Sequence, residues 1–130
     1  IQAFSKIGLI PDSGGTYFLP RLIGLPKATA FMMTGEPVSA EKAEGLGMIY
    51  AVYEDAEFEP KSLELARSIA GMPTKGLGYT KRLLNQSFNN SLEDQLALEA
   101  ATQALSAHTD DHKEGIQAFL EKRTPKFTGK

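Results

Sequence analysis

Glycine and proline are spread unevenly along this chain, and their spacing limits its front portion to short elements. Gly8, Pro11, Gly14, Gly15, Pro20, Gly24, Pro26, Gly35, Pro37, Gly45 and Gly47 interrupt nearly every run before it grows long. Between these stops the pattern predicts a short helix over about 15–22 and a second over about 26–34. Ser39 is placed to cap a third that ends near Gly45, because its hydroxyl can accept from the free N–H groups of a first turn. Two segments read as strands: the opening Ile1, Ala3, Phe4 by alternation, and residues 48–52 by weak alternation and β-branching. A strand at residue 1 needs a neighbour to pair with, so the expectation is a chain that begins in the middle of a fold.

After Asp55 the texture changes, and four longer helical patterns follow. Residues 59–70 put Leu63, Ala66, Ile69 and Ala70 on one face. Residues 76–88 do the same with Leu77, the stem of Lys81, Leu84 and Phe88. Ser91 reads as an N-cap, with Asp94 at the capping-box offset, and the helix behind it carries Leu92, Leu96, Ala100, Ala104 and Ala107 in one stripe. The last helix starts at Asp110 or Asp111 and turns Ile116, Phe119 and Leu120 inward. Lys122 and Arg123 stand at its C-terminal end, and Thr124-Pro125 stops it. The organisation expected is α+β and predominantly helical: an irregular front portion, 1–55, joined to a helical portion, 56–130. Apolar faces on successive helices point to a subunit interface.

Composition narrows the function classes. Fourteen basic against sixteen acidic side chains give a net charge of −2, which offers no electrostatic footprint for nucleic acid or for an anionic membrane. No apolar run approaches the roughly 18 residues that cross a bilayer. There is no cysteine, hence neither a disulfide framework nor a thiolate metal site. A soluble cytoplasmic protein is the expectation.

The stretch that carries chemistry is Gly8-Leu9-Ile10-Pro11-Asp12-Ser13-Gly14-Gly15-Thr16, followed by Leu19-Pro20-Arg21-Leu22-Ile23-Gly24. It enters a helix through a glycine pair, with Asp12 and Ser13 where backbone N–H groups are unpaired. Two readings stand side by side. In one, Asp12 or Ser13 is an N-cap and the glycines permit a tight entry. In the other, the glycines admit a ligand to the backbone and Asp12 is a carboxylate at the floor of a pocket, where desolvation would suit it to move protons near neutral pH.

This run resembles the second signature region of the crotonase superfamily, the enoyl-CoA hydratases and isomerases. The segment T-G-E-P-V-S-A-E-K-A-E-G-L-G-M-I that follows, and the ending E-G-I-Q-A-F-L-E-K-R-T-P-K-F-T-G, are similar to two further family segments in the same order. Within the superfamily the likeness is strongest to the 1,2-epoxyphenylacetyl-CoA isomerases of phenylacetate breakdown. The resemblance implies the C-terminal part of a ββα-spiral fold whose last helices form the trimerisation region. It also implies CoA-thioester isomerisation: a base removes the proton beside the thioester carbonyl, two backbone N–H donors hold the enolate, and a proton returns elsewhere.

Carried over by position, Asp12 matches the isomerases' acid/base. The position of the hydratases' glutamate is Phe4, which ranks isomerase above enoyl-CoA hydratase. Lys122 matches a tail lysine that reaches the CoA phosphates; Phe119 and Phe127 are candidates to cover the CoA or acyl portion, and Tyr17 to line the acyl pocket. The resemblance places the oxyanion hole and the adenine loop before residue 1, so this chain alone is expected to be catalytically silent. No metal and no redox cofactor is implied; CoA arrives with the substrate in fatty acid or aromatic catabolism. The expected partners are an acyl-CoA thioester and further copies in a homo-oligomer, a trimer or dimer of trimers, with no nucleic acid and no membrane. The reading from another class is a non-catalytic helical assembly module. His108 and His112, four apart with Asp110 and Asp111 between them, read as a solvated polar face rather than a metal site. Met32 and Met33 read as core filler, and Lys75-Gly76-Leu77-Gly78 as a helix start.

Overall fold

The computed structural model describes residues 1–130 as seven helices and one 3-10 turn. They form two compact units, Ile1–Glu57 and Phe58–Lys130. The helices are α1 (Gly15–Ile23), α2 (Leu25–Thr34), α3 (Ala40–Gly45), α4 (Asp55–Ala70), α5 (Thr74–Ser87), α6 (Leu92–Ala107) and α7 (Asp110–Leu120).

In the first unit, α1 and α2 pack on each other across Gly24, which ends one helix and begins the next with φ 81° and ψ 152°. That backbone region is essentially closed to residues with a Cβ. Pro26 follows in the first turn of α2, where its missing N–H costs nothing. Leu19, Ala28, Phe31 and Ala43 are the buried apolar side chains. Ser39 caps α3 by accepting from the Lys42 N–H at 3.2 Å, as its position predicted. Gly35 lets the 3-10 turn Ala3–Ile7 approach α2: a Cβ there would stand 3.0 Å from the Ala3 Cα.

Neither expected strand forms. The opening residues wind instead into the 3-10 turn, closed by Leu9 N donating to Phe4 O at 3.0 Å and ended by Gly8 at φ 75°. Residues 48–52 run as bends and irregular chain behind Gly47. Strand structure requires a pairing partner, and this chain presents no strand to pair with. The local bonds of a turn are satisfied without one.

In the second unit, α5 and α6 form an antiparallel hairpin. Gly76 near the start of α5 lies beside Ser106 near the end of α6, and Gln95 at the start of α6 donates to the carbonyl of Leu83 at 3.3 Å. Ser91 caps α6 as expected, accepting from the Asp94 N–H at 3.1 Å and donating to its carboxylate at 2.8 Å. The helix predicted over 59–70 starts earlier, at Asp55, with Pro60 inside it.

The apolar faces read on α4, α5 and α6 are mostly open. Leu63, Ile69, Leu84, Phe88, Leu92 and Leu96 are all exposed. On α7 the expectation fails by a rotation of the helix. Ile116, Phe119 and Leu120 are exposed, whereas Asp111 (2%) and Ala118 (1%) are the buried residues. The face carrying Asp111, Gly115 and Ala118 is covered by the chain's own tail, which the apolar pattern of α7 cannot reveal.

Candidate active site

The Asp12 loop is built by the backbone. Gly15 N donates to Asp12 O at 2.8 Å, while Ser13 (φ 53°) and Gly14 (φ 79°) both take left-handed conformations. Two successive positive φ angles inside an i to i+3 bond are the mark of a type I′ turn. Gly14 suits this freely; Ser13 does so at a cost of roughly 1 kcal/mol. The N-cap of α1 is Gly14, whose carbonyl accepts from Tyr17 N and Phe18 N, and no side chain caps the helix. The reading of Asp12 or Ser13 as an N-cap is therefore replaced: neither has that task.

The Asp12 carboxylate accepts from the Ser13 hydroxyl at 3.1 Å and is exposed. The expected desolvated floor is not formed by this unit, whose small core lies behind the turn among Leu19, Ala28 and Phe31. Gln2 backs the turn. Its Oε1 is buried without a hydrogen-bond partner, 3.5 Å from where a Cβ on Gly15 would sit, with Pro11 as close on the same side. Tyr17 meets Phe18 edge-to-face at 5.1 Å and lies under the Arg21 guanidinium at 3.6 Å.

The second unit holds the other candidates. Helix α7 ends in a Schellman motif: Lys122 N donates to Phe119 O at 3.2 Å and Arg123 N to Ala118 O at 3.0 Å. Lys122 thus lies beyond the last turn, at φ 54°, rather than within the helix as expected. Its ammonium is exposed and unpaired. Arg123 is not left to the helix dipole either. It grips both Glu114 oxygens at 2.6 and 2.9 Å and reaches Glu121 at 2.6 Å. The Arg123 hydrogen bond, joined by the Lys126 N–H, lowers the Glu114 carboxyl to about 2. The same pairing raises the Arg123 guanidinium, through Glu114 first and Glu121 second.

The tail after α7 is tied down by a second carboxylate. Asp111 accepts from Thr128 N at 2.7 Å and Gly129 N at 2.9 Å, and the Lys130 carbonyl accepts from Asp110 N and Asp111 N. Asp111 is therefore a buried anchor and not part of a solvated face. His108 and His112 are both exposed, as expected; the His108 ring is 2.6 Å from the Ala104 carbonyl. The anchored tail lays Phe127 against Gly115. Phe127 and Phe119 come together on one apolar cleft of ≈ 390 Å³, completed by Pro73, Gly76, Ile116 and Leu120. Phe119 is 82% exposed, so packing in the core of this unit is not its role. Asp12 and Tyr17 belong to the first unit; Lys122, Phe119 and Phe127 belong to the second. Asp111 and Glu114 escaped the sequence reading because their partners lie 9 to 18 residues away, with no local pattern to mark them.

The glycine-paired turn presenting an acid before α1 and the clamped tail beyond α7 are two of the segments whose sequences resemble the crotonases. The chain belongs to the enoyl-CoA hydratase/isomerase family, whose profile matches residues 1–130. It is similar to the 1,2-epoxyphenylacetyl-CoA isomerase of Escherichia coli K12, at 45% identity over all of this chain and 50% of that protein. A trans-2-decenoyl-(acyl-carrier-protein) isomerase of Streptococcus mutans is 39% identical over all of this chain and 49% of its own length. Among solved structures, the enoyl-CoA hydratase of Bacillus anthracis superposes with a TM-score of 0.91 at 34% identity, covering 97% of this chain and 49% of that one. The chain thus spans about half the length of the relatives it matches.

Proposed function

We propose that this chain carries the acid/base and CoA-contact portion of an acyl-CoA double-bond isomerase, with Asp12 as the proton carrier. The Asp12 carboxylate removes the proton from the carbon between the thioester carbonyl and the double bond of a 3-enoyl thioester. The electron pair spreads into a dienolate, and the protonated Asp12 returns the proton to the far carbon, leaving the conjugated 2-enoyl thioester. Backbone donors for the enolate oxygen come, on the family resemblance, from segments outside these 130 residues, so the chain alone is silent.

The observation that carries this reading is the placement of backbone strain. Ser13, beside Asp12, and Lys122 are the two non-glycine residues with positive φ in the whole chain. Non-glycine residues held in left-handed conformations cluster at functional sites. Asp12 is free of any capping task, and Phe4 replaces the second carboxylate that hydration would use. Lys122 meets the CoA phosphates, Phe119 and Phe127 flank the CoA or acyl portion, and Tyr17 borders the acyl group. The open apolar faces of α4, α5 and α6 support a homo-oligomer, and the family resemblance supports a trimer or dimer of trimers. The name of the E. coli relative, an isomerase of an aromatic acyl-CoA, supports a place in aromatic catabolism. Enoyl-CoA hydratase is the second reading, favoured by the name of the B. anthracis structure.

The test is conversion of a 3-enoyl-CoA to its 2-enoyl isomer by the full-length subunit, with and without Asp12→Asn. Loss of turnover in a variant that still folds and binds thioester supports Asp12 as the base. An unchanged rate, or a wild type that only hydrates 2-enoyl-CoA, refutes the isomerase reading.

A further inference from the structure

Three turns in this chain close in the same way, with paired bonds across a residue of positive φ. The 3-10 turn uses Gly8 (φ 75°), the end of α3 uses Gly47 (φ 76°), and the end of α7 uses Lys122 (φ 54°). Glycine takes this conformation without strain, whereas lysine must be held in it. The residues on either side of Lys122 are the ones that are locked. Arg123 reaches back across Lys122 to Glu121 through Nε and further back to Glu114 through both Nη atoms, so one guanidinium ties the two flanks of Lys122 to the body of α7. Glu114 also accepts from Lys126 N at 2.7 Å, which fixes the chain leaving the turn. Beside these paired charges the Lys122 ammonium is exposed and takes part in none of the bonds.

We propose that Glu114 is a positioning residue for Lys122: by holding Arg123 in a bidentate pair it keeps the strained turn closed and aims the Lys122 ammonium at the phosphates of the CoA thioester. This rests on Lys122 being the phosphate contact. A planar guanidinium gripped at both nitrogens resists rotation in a way a single-point lysine contact does not, which makes the pair a fixed hinge pin for the turn. Without it, Lys122 relaxes to negative φ and its side chain leaves along a different direction. Glu114 touches neither substrate nor reacting atoms; it acts through its neighbour.

The experiment compares Glu114→Gln, Lys122→Ala and the double variant in the full-length enzyme, on a 3-enoyl-CoA and on the matching pantetheine thioester, which lacks the phosphorylated nucleotide. The expected result is that Glu114→Gln raises KM for the CoA thioester about tenfold with kcat nearly unaltered. KM for the pantetheine thioester should move less than about twofold, and Glu114→Gln should add nothing to Lys122→Ala. Equal losses on both substrates would make Glu114 a purely structural residue and overturn the proposal, as would full additivity with Lys122→Ala. If Lys122→Ala leaves the preference for CoA over pantetheine unchanged, Lys122 is not the phosphate contact and the proposal falls with that reading.

Discussion

Arg123 holds Glu114 by two parallel bonds, Nη1 to Oε1 at 2.6 Å and Nη2 to Oε2 at 2.9 Å, across nine residues of chain. This pair does what the helix cannot: it fixes the direction of the polypeptide after α7 has ended. Asp111, one turn earlier on the same helix, receives the far end of the tail through Thr128 and Gly129. Two carboxylates three residues apart therefore organise everything from Glu121 to Lys130.

Acid should open the Arg123 clasp late. The Glu114 carboxyl sits at about 2, below its ordinary 4.5, because Arg123 hydrogen-bonds the ionised form. A depressed carboxylate stabilises the folded state fully above its unfolded value, and that contribution is lost as pH falls from 4.5 through 2. Followed by NMR, the Lys126 amide, which donates to Glu114, should titrate with a midpoint near 2. A midpoint near 4.5 would mean that the clasp does not form in solution.

Asp111→Asn should free the tail. The carboxylate offers acceptors to both Thr128 N and Gly129 N; an amide offers one oxygen and sets a donor against the other N–H. Losing a charge-assisted bond at a buried site costs about 2–3 kcal/mol. Denaturant unfolding measures that loss, and hydrogen exchange at Thr128 and Gly129 should accelerate before the amides of α7 do.

Lys122→Gly should stabilise the fold and impair binding. Glycine relieves the positive φ at this helix end, a gain of roughly 1 kcal/mol. Chemical denaturation should show the gain, while KM for a CoA thioester rises in the full-length enzyme. A variant that loses stability would show that Lys122 is not strained.

Gly14→Ala should disturb the Asp12 turn. At φ 79° an added Cβ is strained, and it would also stand 2.9 Å from Cε2 of Phe18. Phe18 is exposed and its ring can swing aside, so the expected cost is the backbone strain, about 1 kcal/mol. Isomerase kcat should fall with it, since the turn that sets the Asp12 carboxylate must open. Unaltered kcat would show that Asp12 tolerates a looser loop.

What was legible beforehand is what depends on neighbours a few residues apart. The starts of α1, α2 and α3, the caps Ser39 and Ser91, and the glycine-paired entry after Asp12 all follow from bonds spanning three or four positions. Strand formation at residues 1–4 and 48–52 is a non-local matter, and there alternation misled: a 3-10 turn and an irregular segment meet their backbone needs locally. The apolar stripe of α7 misled for a related reason, because what covers a helix face is decided by the segment that lands on it.

The order of residues by itself determined the helices, the caps Ser39 and Ser91, the family signature and the position of Asp12, since each is set by short-range bonding or by a motif read in register. Tertiary structure alone decided that Phe119 and Phe127 share a cleft. It also decided that Asp111 is buried and that Lys122 is held left-handed outside the helix. Those outcomes come from contacts between Glu114 and Arg123, and between Asp111 and Gly129, that exist only once the tail has folded back on α7.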